Sequence, residues 1–317
     1  MKGYNLAVVG ATGLVGSTFI KLLEEYEFPV CSISFFASEG SEGKKIKFLD
    51  KEYLVERVTL DSFKGMDFVF FFTSTSISKK WVPIALDEGC YVIDNSSCFR
   101  LDGNYDLIIP EVNFDSVRGK LISNPNCSVI QMAIVLDALK ELGMKKIVCS
   151  TYQSVSGSGK KGIDALVSGE ASIYKYNVKE TCIPLVGELL PSGYSDEEEK
   201  VINELQRLFG YDIEVYPTCV RVPILYSHGV SLTVSFDKDF TVSDIITLLN
   251  KSNSIKVVDV PTSTLANKND YVYVGRIRKN NDAVSLYVVA NNLRRGAALN
   301  SLFIALKIIS NSIAYKI

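Results

Sequence analysis

The sequence predicts an α/β domain built on a doubly wound parallel sheet, followed by a second domain of the α+β class. Three features support this prediction: a glycine-rich turn between a strand pattern and a helix pattern, alternating strand and helix patterns in the first half, and a strand-rich second half. A chain of 317 residues is long enough for two domains of roughly 150 residues each.

The first half begins with the order strand, glycine turn, helix, strand. Residues 5–9 form a short apolar run typical of a buried parallel strand, and residues 31–37 predict the next strand. Between them, Gly10-Ala11-Thr12-Gly13-Leu14-Val15-Gly16 opens a segment with apolar residues at helical spacing. This order is the Rossmann-like dinucleotide-binding unit, in which the three glycines allow a tight turn, close approach to the phosphates and close helix packing. Strands predicted at 67–72 and 90–94, with a helical stretch between them, continue the sheet.

The end of the second strand is where such a domain recognises the ribose of its cofactor. Glu39 follows that strand and suits the ribose hydroxyls of NAD. Ser38 and Ser41, with Lys44 or Lys45 nearby, suit the 2′-phosphate of NADP instead. Composition leaves both cofactors open.

The second half predicts strands and helices in an order that fits a mixed or antiparallel sheet. The predicted strands lie at 146–155, 213–222, 229–236, 256–260, 271–279 and 284–291, and the predicted helices at 160–175, 195–208 and 242–252. A last amphipathic helix at 294–312 is expected to pack back on the first domain. The expected domains are therefore residues 1–128 with 294–317, and residues 129–293.

Composition excludes several classes of protein. The net charge is −2 and no basic run occurs, which argues against nucleic acid as a partner. The apolar runs are short and interrupted by charge, and the first of them leads directly into the glycine turn, so neither a membrane span nor a signal peptide is predicted. Seven cysteines without a CxxC pair argue against a disulfide framework or a structural zinc and for a reducing cytoplasm.

Cys127 is the residue with the most direct chemical potential. It precedes a helix pattern at 129–142, and a thiol at a helix N-terminus is favoured as the reactive thiolate. Backbone N–H groups there can also hold an oxyanion. The alternative is a small buried residue at a loop–helix junction. His228, the single histidine, would be a base for this thiol if the fold brings the two together.

Four charged residues stand where they can bind an anion or a substrate. Arg100 closes a polar loop after a strand, and Arg221 lies within an apolar strand, where an arginine needs a partner. Glu197 and Lys200 share a helix face, although the capping-box spacing of Ser195 and Glu198 also explains the acidic run structurally.

Taken together, these motifs resemble the aspartate-β-semialdehyde dehydrogenase family of bacterial type over nearly the whole chain. The matching segments are GATGLVG, DNSSCFR, NPNCS, STYQSVSGSGKKG, EEEK, CVRVP with the downstream histidine, VGRIRK and ANNLRRGAALN. The resemblance implies Cys127, His228 and Gln153 as catalytic residues and Arg100, Asn126, Glu197, Lys200 and Arg221 as substrate-binding residues. It implies that the residues binding the cofactor are Gly10, Thr12, Gly13, Leu14, Val15, Ser38, Ser41, Ser158, Gly159 and Asn292.

The resemblance further implies a reaction and partners. The reaction is the NADPH-dependent conversion of L-aspartyl-4-phosphate to L-aspartate 4-semialdehyde and phosphate through a cysteine thioester, toward lysine (by diaminopimelate), threonine and methionine. It implies a homodimer or a dimer of dimers, and no metal. Gly40 stands where the family often has an arginine for the 2′-phosphate, so NAD use is also possible.

Two other functions fit part of the pattern. N-acetyl-γ-glutamyl-phosphate reductase uses similar chemistry, but Asn126 and Ser128 depart from its NPGCY-like motif. A dinucleotide-binding sensor without activity would keep the glycine turn and lose the thiol or the base, whereas both are present here.

Overall fold

The structure is a computed structural model that describes residues 3–169 and 173–314. The described residues form two compact units. The first contains the residues up to Pro125 and those from Ala297 onward, and the second is Asn126–Gly296. The domains expected from the sequence also include residues 1, 2 and 315–317, which lie outside the described residues.

The first unit contains an eight-stranded sheet in the order β3-β4-β2-β1-β5-β6-β8-β7. Its strands are β1 (Tyr4–Val9), β2 (Val30–Phe36), β3 (Lys45–Phe48), β4 (Lys51–Glu56), β5 (Phe68–Phe71), β6 (Tyr91–Asp94), β7 (Asp106–Leu107) and β8 (Leu121–Ser123). Its first two helices are α1 (Leu14–Glu25) and α2 (Thr75–Asp87). The neighbouring pairs are parallel except β3 with β4. The doubly wound parallel sheet is confirmed.

The hairpin of β3 and β4 was not predicted from the sequence. Strand β3 alternates charged and apolar residues, and β4 has only three consecutive apolar residues between charged ones, so neither forms a long apolar run. The connecting Leu49 and Asp50 both adopt a positive φ, of 45° and 61°, which is the geometry of a two-residue hairpin turn. Neither residue is the glycine that would have marked this turn.

Aromatic side chains fill the core on one face of the first sheet. Phe19 of α1 is fully buried, and its ring centroid lies 4.3 Å from that of Phe70 on β5. Because α1 starts directly after the glycine turn, this packing fixes the position of the turn at the end of β1.

The second unit contains a six-stranded mixed sheet in the order β10-β9-β11-β14-β13-β12. Its strands are β9 (Met144–Gln153), β10 (Glu214–Arg221), β11 (His228–Phe236), β12 (Ile255–Val257), β13 (Val272–Asn280) and β14 (Ala283–Ala290). Its helices are α3 (Cys127–Leu139), α4 (Gly159–Ser168), α5 (Asp196–Phe209), α6 (Val242–Asn250) and α7 (Ser263–Ala266). Strand β9 pairs in parallel with β10 and antiparallel with β11.

Two predicted helix boundaries in this unit were wrong. The helix expected at 160–175 ends at Ser168, because Gly169 takes a left-handed conformation with φ of 75°. Residues 170–172 of that prediction lie outside the described residues. The helix expected at 129–142 begins earlier, at Cys127, and its last turn is a 3₁₀ turn at Lys140–Leu142.

The chain returns to the first unit through α8 (Leu299–Ala314), as expected. The predicted start at residue 294 is instead a π-helical turn, Arg294–Ala298. Helix α8 packs on α1, where the rings of Tyr26 and Phe303 lie 5.4 Å apart. Within the part of the chain that the structure describes, none of the helices has both the length and the apolar character needed to cross a membrane.

Candidate active site

Cys127 is the first residue of α3, and Asn126 is its N-cap. The Asn126 side-chain oxygen accepts hydrogen bonds from the backbone N–H of Ser128, at 2.8 Å, and of Val129, at 3.4 Å. The thiol therefore sits in the first turn, near the positive end of the helix. The same cap occupies two N–H groups that the sequence suggested for an oxyanion, so these two are not open donors while the cap is in place.

Helix α5 holds Asn126 from the other side. The Asn126 Nδ2 donates to Oε1 of Glu197 at 2.9 Å, and its backbone N–H donates to Oε2 of Glu204 at 2.6 Å. Glu204 was not predicted. The signal for it was its spacing of seven residues from Glu197, which places both carboxylates on one face of the helix.

Gln153, at the end of β9, is hydrogen-bonded to the same network of side chains around Asn126. Its Nε2 lies 3.2 Å from Oγ of Ser128 and 3.2 Å from Oε1 of Glu197. The Lys200 ammonium donates to Asp196 at 2.7 Å and reaches Glu197 at 3.5 Å. The structure thus brings Asn126, Gln153, Glu197 and Lys200 together around the start of α3.

The structure confirms the capping box in the acidic run on α5, and it places Glu197 outside this cap. Ser195 and Glu198 form the capping box, and Glu198 also accepts from the backbone N–H of Cys219 at 2.8 Å. Glu197 takes no part in the cap. Its side chain is occupied by Asn126, Gln153 and Lys200 instead.

His228 is fully buried, and its hydrogen bond fixes its protonation. Its Nδ1 accepts the backbone N–H of Ser154 at 3.0 Å, so the neutral ring carries its proton on Nε2. Burial, with the nearby Arg221 charge, lowers the pKa of His228 to about 3. This does not fit the expected base for the thiol, because the neutral Nε2–H can donate a hydrogen bond but has no lone pair to take a proton.

The side chains of Arg221 and His228 both approach the backbone of Gly157. A Cβ added to Gly157 would lie 2.9 Å from Nη1 of Arg221 and 3.2 Å from Nε2 of His228. Arg221 also donates to the carbonyl of Ser154 at 2.6 Å, and its guanidinium lies 6.0 Å from the ring centroid of Tyr174. The His228 Nε2 has no hydrogen-bond partner among the described residues. A cation and an N–H donor beside a glycine suit a carboxylate or an oxyanion.

A strained turn places His228 at the start of β11. Ser227 has a φ of 71°, which is uncommon for a residue other than glycine. Its backbone N–H donates to Oδ1 of Asn292 at 2.9 Å, and its hydroxyl donates to Oδ1 of Asn267 at 2.6 Å. Asn292 also accepts from Oγ of Ser154 at 3.2 Å. The side chain of Asn292, expected near the nicotinamide, thus supports the histidine turn.

Two further residues expected at the cofactor lie in the adjoining turn of the second unit. Ser158 is the N-cap residue of α4 without a side-chain cap bond, and Gly159 has a φ of 71°. Their backbone follows directly from Gly157.

Four of the six other cysteines have thiols that ionise less readily than usual. Burial raises the pKa of Cys90 to about 11 and of Cys149 to about 12, and it also raises the pKa of Cys219 and of half-buried Cys98. Cys31 and Cys182 are exposed. Cys127 is half-buried like Cys98, but it differs from the other six because it is the first residue of a helix.

In the first unit, Arg100 lies in the loop after β6 with a buried carboxylate. Asp94 accepts from the hydroxyls of Ser96, at 2.6 Å, and Ser78, at 2.7 Å. Burial raises the pKa of Asp94, while these hydrogen bonds and the Arg100 charge oppose the shift. Arg100 is buried and donates to the carbonyl of Asn95 at 2.8 Å.

The glycine turn of the first unit fits a dinucleotide. Gly10 has a φ of 85°, and a Cβ there would lie 2.3 Å from the carbonyl oxygen of Phe72. A Cβ on Gly16 would lie 2.3 Å from the carbonyl oxygen of Gly10, so only glycine allows α1 to start here. Gly13 is the N-cap of α1 and gives it no side-chain cap. Leu14 and Val15 form its first turn, whose backbone donors suit a pyrophosphate.

Contacts after the end of β2 distinguish Lys44 from Lys45, the two candidates for binding a 2′-phosphate. Lys44 donates to Oγ of Ser41 at 3.1 Å, and Thr12 donates to the same oxygen at 3.2 Å. Lys45 instead forms an exposed ion pair with Glu52 at 2.6 Å.

Glu39, the candidate for binding the ribose hydroxyls, forms an ion pair with Arg57 at 3.6 Å. Ser38 begins the turn and accepts the backbone N–H of Ser41 at its carbonyl, at 2.8 Å.

Comparison with known families agrees with this two-unit organisation. Residues 5–120 match the model of the semialdehyde dehydrogenase NAD binding domain, and residues 136–295 match the semialdehyde dehydrogenase dimerisation domain. An aspartate-semialdehyde dehydrogenase of Aquifex aeolicus is 38% identical, over 96% of this chain and 97% of its own. The chain therefore belongs to the aspartate-semialdehyde dehydrogenase family, and the predicted enzyme class is confirmed.

Solved structures agree with the fold. Aspartate semialdehyde dehydrogenase II of Vibrio cholerae, complexed with ASA, superposes with a TM-score of 0.94 at 35% identity, covering 98% of this chain and 99% of its own. An aspartate semialdehyde dehydrogenase of Candida albicans, solved with NADP, has a TM-score of 0.76 at 22% identity, covers 96% of this chain and 98% of its own, and shares the fold.

The burial of neutral His228 predicts acid-sensitive stability. Because its pKa falls from the usual 6.5 to about 3 in the folded state, the unfolded chain binds the proton first. The contribution of neutral His228 to the free energy of unfolding is then complete above pH ~6.5. It declines as the pH falls toward 3, by about 2 kcal/mol between pH 7 and 5. Denaturant unfolding at both pH values measures this. His228→Asn, whose amide oxygen replaces Nδ1 as acceptor, removes that part of the decline, and an equal decline in both proteins would contradict the assignment.

Proposed function

We propose that this enzyme catalyses the NADPH-dependent reductive dephosphorylation of L-aspartyl-4-phosphate to L-aspartate 4-semialdehyde, through a thioester on Cys127. The single observation that carries the proposal is the arrangement at Cys127. A half-buried thiol opens a helix whose N-cap is bonded to Glu197. Relatives named aspartate-semialdehyde dehydrogenase support the choice of substrate. The product would serve the synthesis of lysine, threonine and methionine.

The chemistry begins at the thiol. The Cys127 thiolate attacks the acyl carbon of the substrate, the carbon–oxygen bond to phosphate breaks, and inorganic phosphate leaves with that electron pair. Lys200 and Arg100 are our candidates to bind the phosphate, since each is a cation that charge-assisted hydrogen bonds can use. Two carboxylates flank the Lys200 ammonium and hold it in one orientation.

Arg221 and Glu197 are our candidates for the amino-acid end of the substrate. The Arg221 guanidinium suits the α-carboxylate, and the Glu197 carboxylate suits the α-ammonium. Gln153 donates to Glu197 and Ser128, and thereby holds the end of β9 against the start of α3. His228 presents Nε2–H as a neutral donor to the substrate oxygen, where negative charge develops.

When bound, the dinucleotide would supply a hydride to the thioester carbon. The carbon–sulfur bond then breaks, Cys127 leaves with that electron pair as the thiolate, and the aldehyde is released. We assign its pyrophosphate to the turn of Gly10, Gly13 and the first residues of α1, and its 2′-phosphate to Ser41 and Lys44. The neutral hydroxyls and the ammonium at this point suit a phosphate better than ribose hydroxyls. This supports NADP over NAD, with Lys44 replacing the charge that is missing at Gly40.

Phosphate-dependent reduction of NADP by L-aspartate 4-semialdehyde tests the reaction in reverse. We expect wild-type enzyme to produce NADPH absorbance only when phosphate is present. Cys127→Ala should lose turnover by at least about a thousandfold and keep cofactor binding, because the nucleophile is lost. Cys182→Ala, at an exposed thiol, serves as the matched control and should keep normal turnover. Substantial turnover in Cys127→Ala would exclude the thioester mechanism.

Replacing Lys44 tests the cofactor assignment. Lys44→Ala removes one charge-assisted hydrogen bond to the 2′-phosphate, so the KM for NADP should rise about tenfold while the KM for NAD stays within about twofold. Steady-state kinetics with each cofactor measures both values. Lys45→Ala is the control, since its ammonium pairs with Glu52. Equal effects of Lys44→Ala on both cofactors would argue against a 2′-phosphate contact there.

We further propose that the second unit forms a homodimer through the open face of its sheet. Alternate residues of β9 and β10 on this face leave large side chains exposed, namely Val148, Tyr152 and Tyr216. Exposed aromatic and aliphatic side chains with a charged pair beside them, here Lys146 and Glu214, are typical of a subunit interface. The match of residues 136–295 to a dimerisation domain supports dimerisation through this unit.

Sedimentation of two variants tests the dimer. Wild-type protein should sediment at about 70 kDa, twice the chain mass of 35.0 kDa. Tyr152→Asp introduces a charge on the proposed face and should shift the protein toward 35.0 kDa. Tyr211→Asp, at a tyrosine 77% exposed outside the sheet, should leave the dimer intact. A monomeric wild type, or dissociation by both variants alike, would refute the interface.

A further inference from the structure

We propose that Glu204 is a positioning residue that holds the Asn126 peptide, and through it the Cys127 thiol, in reactive geometry. This inference rests on the proposed function of Cys127 as the nucleophile. Nothing in the sequence motifs or in the assigned chemistry uses Glu204, although it is 1% exposed and carries an acidic side chain. An acid so deeply buried needs strong hydrogen bonds to compensate for lost hydration.

Glu204 contacts the residue directly before the thiol. Its Oε2 accepts the backbone N–H of Asn126 in a short hydrogen bond of 2.6 Å. Two turns earlier on α5, Glu197 accepts the side-chain Nδ2 of Asn126 at 2.9 Å. The helix thus holds one residue at two points, by its main chain and by its side chain.

Holding Asn126 at two points constrains its third contact. Its Oδ1 caps α3 through the N–H groups of Ser128 and Val129, so the position of Asn126 determines where the first turn begins. Cys127 lies between the anchored residue and the capped amides. The Cα of Cys127, which carries the thiol, can therefore not shift along the helix axis without breaking the bond to Glu204 or the cap.

A second contact limits movement of the Cys127 backbone and Cβ. A Cβ added to Gly296 would lie 3.1 Å from Cβ of Cys127 and 3.1 Å from its carbonyl oxygen. The π-helical turn that contains Gly296 therefore packs directly on the first residue of α3. Glu204 supplies the directional bond, and Gly296 supplies the close packing.

Kinetics of two Glu204 variants test this role. Glu204→Ala should lower kcat about tenfold or more, with KM within about twofold, because a small displacement of the attacking atom acts on the chemical step. Glu204→Gln keeps an oxygen acceptor and should recover kcat to within about threefold of wild type. Both values are expressed per Cys127 that iodoacetamide titrates. A merely structural role would lower the melting temperature and the number of titrated sites without changing kcat per site.

The matched control is Glu199→Gln. Glu199 lies on the same helix, is only half-buried and accepts from Oγ of Ser192 at 2.9 Å, so this variant removes an equal charge away from Asn126. It should keep kcat within about twofold of wild type. A kcat per site in Glu204→Ala within twofold of wild type would overturn the proposal, as would an equal loss in Glu199→Gln.

Alkylation separates failure of this proposal from failure of the proposed function. The rate of iodoacetamide modification at Cys127 is measured by peptide mass spectrometry relative to the exposed Cys31 in the same molecule. A threefold or larger change in that ratio in Glu204→Ala supports positioning even if wild-type enzyme lacks the proposed turnover. An unchanged ratio, together with an inactive wild type, overturns both proposals. An unchanged ratio with an active wild type overturns positioning alone.

Discussion

The bond network around Asn126 is the constraint on which the second unit's site depends. One residue caps α3 with its side-chain oxygen and is bonded by α5 through both its amide and its backbone. An N-cap usually stabilises only its own helix. Here the same hydrogen bonds also connect two helices and set the start of the helix that carries the thiol. Fold stability and site geometry are therefore determined by the same few atoms.

In the first unit, the position of the glycine turn is determined by places where no side chain fits. Gly10 and Gly16 leave room for backbone where any Cβ would collide with a carbonyl oxygen. The core behind them is closely packed, with Phe19 fully buried against Phe70. A packed core and a turn without side chains together present backbone donors at a defined place, which suits phosphate binding.

Sequence reasoning was accurate where a single local pattern determines the structure. The glycine turn, the capping box at Ser195 and the cysteine at a helix start each follow from neighbouring residues. It was inaccurate where the local signal was absent or was passed over. The hairpin turn at Leu49 and Asp50 has no glycine to mark it, and the helix predicted at 160–175 runs past Gly169, the glycine at which α4 ends. No local pattern could have revealed that Ser154 fixes the protonation of His228.

The sequence identified His228 as a candidate for proton transfer, but it could not show whether the folded protein holds the ring neutral or protonated. A lone histidine near a reactive thiol suggests a base because its unperturbed pKa lies near neutrality. Complete burial beside Arg221 makes the imidazolium costly, and the Ser154 N–H occupies the nitrogen that would bind the extra proton. The ring is consequently held neutral, with one donor facing the point that Arg221 also faces. Ser227 accepts an unfavourable φ of 71° to bring it there, and such strain persists only because Asn292 and Asn267 bind that turn. Within the second unit, His228 therefore presents a preorganised hydrogen-bond donor toward the backbone of Gly157.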